Sequence, residues 1–186
     1  MERNDDPIER LAVLAEQVDG DFAAIHQRQA ARMQCRAGCS ACCRARLSIT
    51  RVEEVFLRRG LATLSDERRA ELSARAREEN REMCPALDGD GRCGVYPFRP
   101  LICRTYGVPL RHRGAVALVN PPVIDVCDLN FNGTPLKLLP PADVFDQTAL
   151  VDALETIDGD HCIDNGLPRD QRILIAHILE KEDATA

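Results

Sequence analysis

The stretch that decides the fold reads Cys35-Arg-Ala-Gly-Cys39-Ser-Ala-Cys42-Cys43. It holds four of the chain's nine cysteines, and three more follow at Cys84, Cys93 and Cys103. A chain of 186 residues is long enough to bury an apolar core, so it does not depend on disulfides as very small secreted modules do. Thiols crowded in this way indicate a shared metal or disulfide chemistry.

The expected compartment favours metal binding over disulfide bonding, and the net charge bears on the choice of partner. The segment from Met1 to Pro7 carries acids and no apolar stretch, so we expect no signal peptide, and no apolar run approaches the ~20 residues of a membrane helix. We therefore expect a cytoplasmic, reducing location, where cysteine clusters bind metals or catalyse reactions. The net charge of −6 disfavours nucleic acid. The predicted partner is a metal ion or cluster, with no nucleic acid, no membrane and no identified protein.

Helical signals frame the cysteines. Apolar residues at steps of three and four predict a helix from Pro7 to about Met33, and they are Ile8, Leu11, Ala15, Val18, Phe22 and Ile25. Thr50-Arg-Val-Glu53 is a capping box that opens a helix ending at Gly60. Ser65 caps another, Arg-rich helix to about residue 83, whose arginines we expect on a solvated face. Two helices, at about 142–157 and about 168–182, close the chain.

The middle of the chain is rich in turns. From Cys84 onwards prolines and glycines interrupt the sequence, and residues 108–110 and 115–119 are expected to pair as a hairpin around Arg113-Gly114. The predicted fold is mainly α, with a small irregular or β-hairpin middle region, as a single cysteine-rich metal-binding domain. We expect residues 1–141 to form this domain with its N-terminal helix. Residues 142–186 are expected to be a helical extension packed on it.

Thiolates at short spacing suit several metal centres. Zinc takes four such donors at ~2.3 Å, and a [4Fe–4S] cluster takes four, or three with one iron left open. If residues 35–43 were helical, their four thiols would share one face. The C-x-x-C of Cys39 and Cys42 lacks the βαβ pattern of a thioredoxin. Cys35-x3-Cys39-x2-Cys42 has radical S-adenosylmethionine spacing, but no barrel pattern surrounds it. Arg92 and Arg99 exclude Asp88-Gly-Asp-Gly91 as an EF-hand calcium loop.

The remaining cysteines and the histidines are not predicted ligands. Cys127 and Cys162 stand apart from the clusters, and isolated cysteines commonly pack as small apolar side chains. None of the four histidines is assigned to the site: His26, His112, His161 and His177.

The cysteine run, taken with the segment Cys84-Pro-Ala-Leu-Asp-Gly-Asp-Gly-Arg-Cys93-Gly-Val-Tyr96-Pro-Phe-Arg99-Pro100-Leu-Ile-Cys103-Arg104, resembles one family. It is similar to the bacterial YkgJ-type cysteine-cluster proteins, described as a zinc- or iron-chelating domain, over roughly residues 30–107. The resemblance implies metal ligands at Cys35, Cys39, Cys42, Cys43, Cys84, Cys93 and Cys103. In this pattern Tyr96, Arg99 and Pro100 are expected to stiffen the approach to Cys103, with Tyr96 or Arg99 donating hydrogen bonds around the site.

The resemblance implies no settled activity. A similar pattern occurs in flagellin lysine methylases, but no Gly-rich loop after a strand supports a methyltransferase here. The predicted function is a metal-binding protein that holds zinc, iron or an iron–sulfur cluster through one composite site. One alternative is an iron–sulfur enzyme with an open iron, including S-adenosylmethionine-dependent protein modification. Another is a redox-sensing thiol protein. We expect the sulfurs of Cys35, Cys39, Cys42 and Cys103 to lie within ~4 Å of each other, as donors on one zinc must.

Overall fold

In the computed structural model of the chain, the structure describes residues 6–44, 46–78, 82–112 and 123–181. Six α-helices lie in these ranges: α1 (Pro7–Arg28), α2 (Arg51–Ala62), α3 (Asp66–Ala76), α4 (Leu101–Thr105), α5 (Gln147–Asp164) and α6 (Ile175–Glu180). Five short strands accompany them: β1 (Ser48–Ile49), β2 (Leu110–His112), β3 (Val123–Asp125), β4 (Phe145–Asp146) and β5 (Ile173–Leu174). The predicted mainly α fold is confirmed. Within the described ranges, no helix has the length and apolarity needed to cross a membrane.

The first helix follows its apolar stripe. It begins at Pro7, and of the predicted stripe all but Phe22 are buried. It ends at Arg28, short of the predicted Met33, and a 3₁₀ turn at Ala30–Arg32 follows.

Two predicted helix caps are present. Thr50 accepts from the backbone of Glu53, and the Glu53 carboxylate accepts from Thr50 N–H, so the capping box is complete. Ser65 caps α3. The extension of α3 to residue 83 is wrong, since the helix ends at Ala76. Residues 77–82 contain no apolar side chain that could continue a buried face.

The chain folds as two compact units, each assembled from segments that are distant in sequence. The first comprises residues 1–12, 37–100 and 157–186. In it β1 pairs with β5 in antiparallel fashion, and α3 packs against α6. Its core includes Ile49, Val52, Leu57, Leu72 and Ile178. The domain boundary expected at residue 141 stays a prediction.

The second unit comprises residues 13–36 and 101–156. Its sheet has the order β3-β2-β4, with β2 antiparallel to β3 and parallel to β4. The hairpin therefore uses Leu110–His112 and Val123–Asp125, while the expected strand at 115–119 lies outside the described residues. Its core includes Val18, Ile25, Val108, Phe131 and Phe145.

The two C-terminal helices begin later than predicted. α5 starts at Gln147 because residues 141–146 form a 3₁₀ turn and β4, after which the Asp146 carboxylate accepts from the N–H groups of Thr148 and Ala149. α6 starts at Ile175, not Pro168, because Ile173 and Leu174 pair with β1. Pairing with strand β1 therefore keeps these residues extended, although Pro168 signals a helix start in the sequence.

Candidate metal centre

The cysteine run does not form a regular helix. Gly38 has a φ of +83°, which a right-handed helix does not permit, and only Ala41–Arg44 coil into a 3₁₀ turn. The four thiols of the run therefore do not line one helix face. None of the nine cysteines, all of which lie among the described residues, forms a disulfide.

Backbone contacts in the first unit join the cysteine run to the second cysteine loop. The N–H of Cys84 donates to the carbonyl of Cys43 across 2.6 Å. A Cβ at Gly91 would lie 2.6 Å from the carbonyl oxygen of Gly38, so only glycine allows this approach. The backbone segment of Cys39, Cys42 and Cys43 is thus in direct contact with the loop that carries Cys84 and Cys93.

The Asp-Gly-Asp-Gly turn folds this loop back on itself. Leu87 and Cys93 form an antiparallel bridge, and Asp88 N–H donates to the carbonyl of Arg92 at 2.7 Å. Gly94 N–H donates to the carbonyl of Ala86, also at 2.7 Å. The turn therefore holds the two ends of the loop side by side, as the sequence indicates.

The thiols of Cys42 and Cys43 interact directly. A hydrogen bond from Cys43 lowers the pKa of Cys42 to about 6, although burial acts in the opposite direction. The same hydrogen bond, together with burial and the proximity of Cys42, Cys84 and Cys93, raises the pKa of Cys43. The hydrogen bond between the two thiols therefore favours the thiolate form of Cys42, and the thiolate is the form that binds metal.

The neighbouring Cys93 is partly buried. Burial raises its pKa, and the Val95 N–H and the Arg99 charge offset part of that rise. The negative charge of a Cys84 thiolate adds to the rise. Four cysteines, at 42, 43, 84 and 93, thus influence one another's ionisation within the first unit.

Arginines of α3 hold the second cysteine loop. Arg75 donates to the carbonyl of Pro85 at 3.1 Å and to the Asp88 carboxylate at 3.0 Å, and Arg68 donates to the same carboxylate. Burial would raise the pKa of Asp88, but the two guanidinium groups outweigh it and hold that pKa below its usual value. The expectation of a solvated arginine face is therefore wrong for these two residues, which position the segment between Cys84 and Cys93.

The Tyr96–Phe98 turn follows Cys93 and is anchored by its last residue. Phe98 packs against Phe56 of α2 with ring centroids 5.4 Å apart. Arg99 lies 3.8 Å over the ring of Tyr96 and donates to the Tyr96 carbonyl at 3.0 Å. These contacts make a compact corner at the end of the cysteine loop.

The second unit carries Cys35 and Cys103. Cys103 lies on α4, where the adjacent Arg104 is buried and paired with Asp19 of α1. The sulfur of Cys35 accepts from the side-chain amide of Asn130 at 3.3 Å. Sequence reasoning missed Asn130, since a lone asparagine in a Pro-rich connection carries no signal of its own.

Among the described residues, no group of three or more His, Cys, Asp or Glu side chains is already arranged so that it could hold a metal ion. The donor chemistry nevertheless fits zinc or iron, because both bind thiolates and the hydrogen bond from Cys43 favours the thiolate of Cys42. Metal binding would have to bring the thiols closer, as is common when a site forms together with its ion. The predicted convergence of Cys35, Cys39, Cys42 and Cys103 stays a prediction.

That Cys127, Cys162 and the histidines are not ligands stays a prediction; the structure shows where several of them lie. Cys162 is fully buried, and burial raises the pKa of its thiol. His26 contacts the carbonyl of Cys35 at 3.3 Å, and His112 pairs with Asp125 at 2.6 Å. His161 is buried on α5, where Asn165 donates to its carbonyl.

Comparison with known proteins places the cysteine pattern in a family. Residues 34–117 match the family model CxxCxxCC, described as "Putative zinc- or iron-chelating domain". No curated protein and no solved structure is significantly similar to the chain. The matched range contains all seven predicted ligands, from Cys35 to Cys103. The resemblance to a zinc- or iron-chelating cysteine-cluster family seen in the sequence is therefore confirmed over residues 34–117, which match the model of that family.

Proposed function

We propose that this protein binds zinc or iron through thiolates of its cysteine-cluster domain. The ligands are drawn from Cys35, Cys39, Cys42, Cys43, Cys84, Cys93 and Cys103. The observation that carries the proposal is a set of four cysteine side chains in the first unit, at residues 42, 43, 84 and 93. Their thiols affect one another's ionisation. Mutual repulsion of thiolates is relieved most directly by a bound cation.

The chain supplies a thiolate at Cys42 as a metal ligand, and it holds the backbones of two cysteine-bearing segments in place. Cys42 is ionised near neutral pH, while the Cys84 N–H bond to Cys43 and the Arg68–Asp88–Arg75 network fix the loop that brings further thiols. Bound zinc would cross-link these segments, and bound iron, alone or as a cluster, would add redox chemistry. Seven thiols exceed the four that one zinc or one cluster needs, so spare thiols or a second metal are part of the proposal.

Elemental analysis of protein purified without oxygen tests this function. We expect stoichiometric zinc or iron, with visible absorbance if the iron forms a cluster. Replacing Cys42 or Cys84 by serine should lower the metal content, and Cys162→Ser is the matched control outside the site. Protein that holds neither metal, and cannot be loaded with either, would contradict the proposal.

A redox-sensing thiol is the second candidate, and the lowered pKa of Cys42 favours it. A thiolate of low pKa beside another thiol is the usual setting for reversible oxidation. Metal-free protein that forms reversible disulfides under mild oxidant, and loses this response in Cys42→Ser, would support this candidate over metal binding.

A further inference from the structure

Asn130 is a buried asparagine whose side chain forms hydrogen bonds with three residues of the second unit. It is 3% exposed. Its Oδ1 accepts from the backbone N–H of Gln34 at 2.7 Å. Its Nδ2 donates to the carbonyl of Gly107 at 2.7 Å and to the Cys35 sulfur at 3.3 Å. The side chain thus links the residue before Cys35, Cys35 itself and the residue four positions after Cys103.

The orientation of this amide follows from its backbone partners. Gln34 N–H is a donor only, so the atom that faces it must be the amide oxygen. The Gly107 carbonyl is an acceptor only, so the atom that faces it must be the NH₂ group. The NH₂ group has a second hydrogen, and the Cys35 sulfur is the acceptor within reach. A rotated amide would break both backbone bonds, so an N–H is directed at the sulfur.

The loop that carries Asn130 is built tightly around this position. Asn130 N–H donates to the carbonyl of Cys127 at 2.8 Å, and Phe131 N–H donates to the carbonyl of Arg32 at 2.8 Å. Phe131 is buried with a φ of +53°, a backbone conformation that a phenylalanine rarely adopts. Strained backbone of this kind persists only where surrounding contacts over-determine it, and it is common beside functional groups.

Gly107 completes the enclosure of the Cys35 sulfur. Its φ is +109°, and a Cβ at this position would lie 2.6 Å from Cys35 Sγ. A side chain at residue 107 would therefore displace the sulfur. The Gly107 backbone and the Asn130 amide therefore both restrict the position of the Cys35 sulfur.

We propose that Asn130 is a positioning residue of the metal site, donating an N–H···S hydrogen bond to the metal-bound Cys35 thiolate. The proposal rests on the metal-binding function proposed above, with Cys35 as a ligand. A sulfur that carries negative charge is a far better acceptor than a thiol, so the bond strengthens when Cys35 ligates a cation. Partners of this kind orient ligands and tune the bound metal. The functional site then extends beyond residues 34–117 into the Cys127–Phe131 loop.

Cadmium-113 NMR on the unaltered protein tests the bond directly. The protein is loaded with ¹¹³Cd²⁺, and couplings from cadmium to protons are recorded. Coupling to the Cys35 Hβ protons together with coupling to a side-chain amide proton of Asn130 supports the proposal. Coupling to Cys35 without coupling to Asn130 overturns it and leaves metal binding intact. Absence of any cysteine-bound cadmium overturns both.

A pair of variants measures the effect of the bond. Asn130→Asp keeps the oxygen that accepts from Gln34 but replaces the NH₂ group with a charged oxygen that faces the Cys35 sulfur and the Gly107 carbonyl. Asn132→Asp makes the same change at a nearby exposed asparagine. We expect Asn130→Asp to weaken Co²⁺ affinity ~10–100-fold and to shift the thiolate-to-cobalt charge-transfer band, because loss of such a partner has effects of this size. A band and an affinity equal to those of Asn132→Asp would overturn the role of Asn130.

Discussion

Replacing Asp88 by asparagine should loosen the loop that carries Cys84 and Cys93. The carboxylate of Asp88 is shared by Arg68 and Arg75, and the side chains of the three residues are between 21% and 26% exposed. Asparagine has nearly the same shape but loses the charge, so it weakens both ion pairs without opening a cavity. The backbone bonds of the turn, including Asp88 N–H to Arg92, remain available.

The size of the effect follows from this exposure. An exposed ion pair contributes ~0.2–1 kcal/mol, and partly buried pairs that share a hydrogen-bonded carboxylate lie at or above the upper end of that range. Two such pairs give about 1–2 kcal/mol for local opening of the loop, which is a factor of roughly 5–30 in the opening equilibrium. The pKa of Asp88 in the folded protein lies below its ordinary value of ~4. The stabilisation by the two ion pairs is therefore fully present above pH ~4 and is lost as the pH falls through the lowered pKa.

Native-state amide exchange at neutral pH measures the loop directly. Amides of residues 84–94 should exchange roughly 5–30-fold faster in Asp88→Asn than in the parent, with amides of α1 unchanged. Asp90→Asn is the matched control, because Asp90 lies on the same turn and its exposed side chain contacts Arg92 alone among the interactions described: a 3.5 Å ion pair, and a 3.1 Å bond from the Arg92 N–H that an asparagine oxygen can also accept. Equal exchange in the two variants would show that the Arg68–Asp88–Arg75 network does not hold the loop.

Three further predictions concern the metal, the core and the pH. Removing bound metal with a chelator should raise amide exchange at residues 84–107 before that of the α1 helix, because turn-rich segments bury little apolar surface of their own; unchanged exchange after verified metal loss would contradict this. Cys162→Ser should leave metal content intact and lower the free energy of unfolding by ~1–3 kcal/mol, measured by denaturant unfolding, because it buries a hydroxyl. Arg28 and Gln29 lower the pKa of Asp143, so its stabilisation is lost as the pH falls below ~4. The melting temperature of Asp143→Asn should therefore decline less between pH 5 and pH 2 than that of the parent, and equal declines would refute this.

Local signals in the sequence were sufficient for part of the fold. Pro7 with its apolar stripe, the Thr50–Glu53 capping box and the Ser65 cap each predict a helix start that the structure has. Their information lies within a few residues, where helix geometry decides which groups meet. The C-terminal end of α3 and the start of α6 depend instead on burial and on pairing with β1, which a local pattern does not contain.

The thiols of the candidate site could be proposed from the sequence, but their supporting contacts could not. Residue type and spacing single out the candidate thiols, because few other sites crowd cysteines in this way. Arg75 and Asp88, however, meet across an intervening turn, and Asn130 reaches Cys35 from 95 positions away in the chain. Such partners are ordinary polar residues, whose role becomes visible only when the backbone brings them together.

The two glycines of the Asp-Gly-Asp-Gly turn differ in a way that is useful for engineering. A Cβ at Gly91 would collide with the backbone of Gly38, whereas a Cβ at Gly89 would meet no atom within 4 Å, and Gly89 does not have the left-handed backbone. Residue 89 lies five positions after Cys84 and four before Cys93. A fluorescent amino acid incorporated there would face solvent next to the candidate ligands. The turn thus offers an attachment point for a reporter that senses metal loading in real time, without the use of any cysteine for labelling.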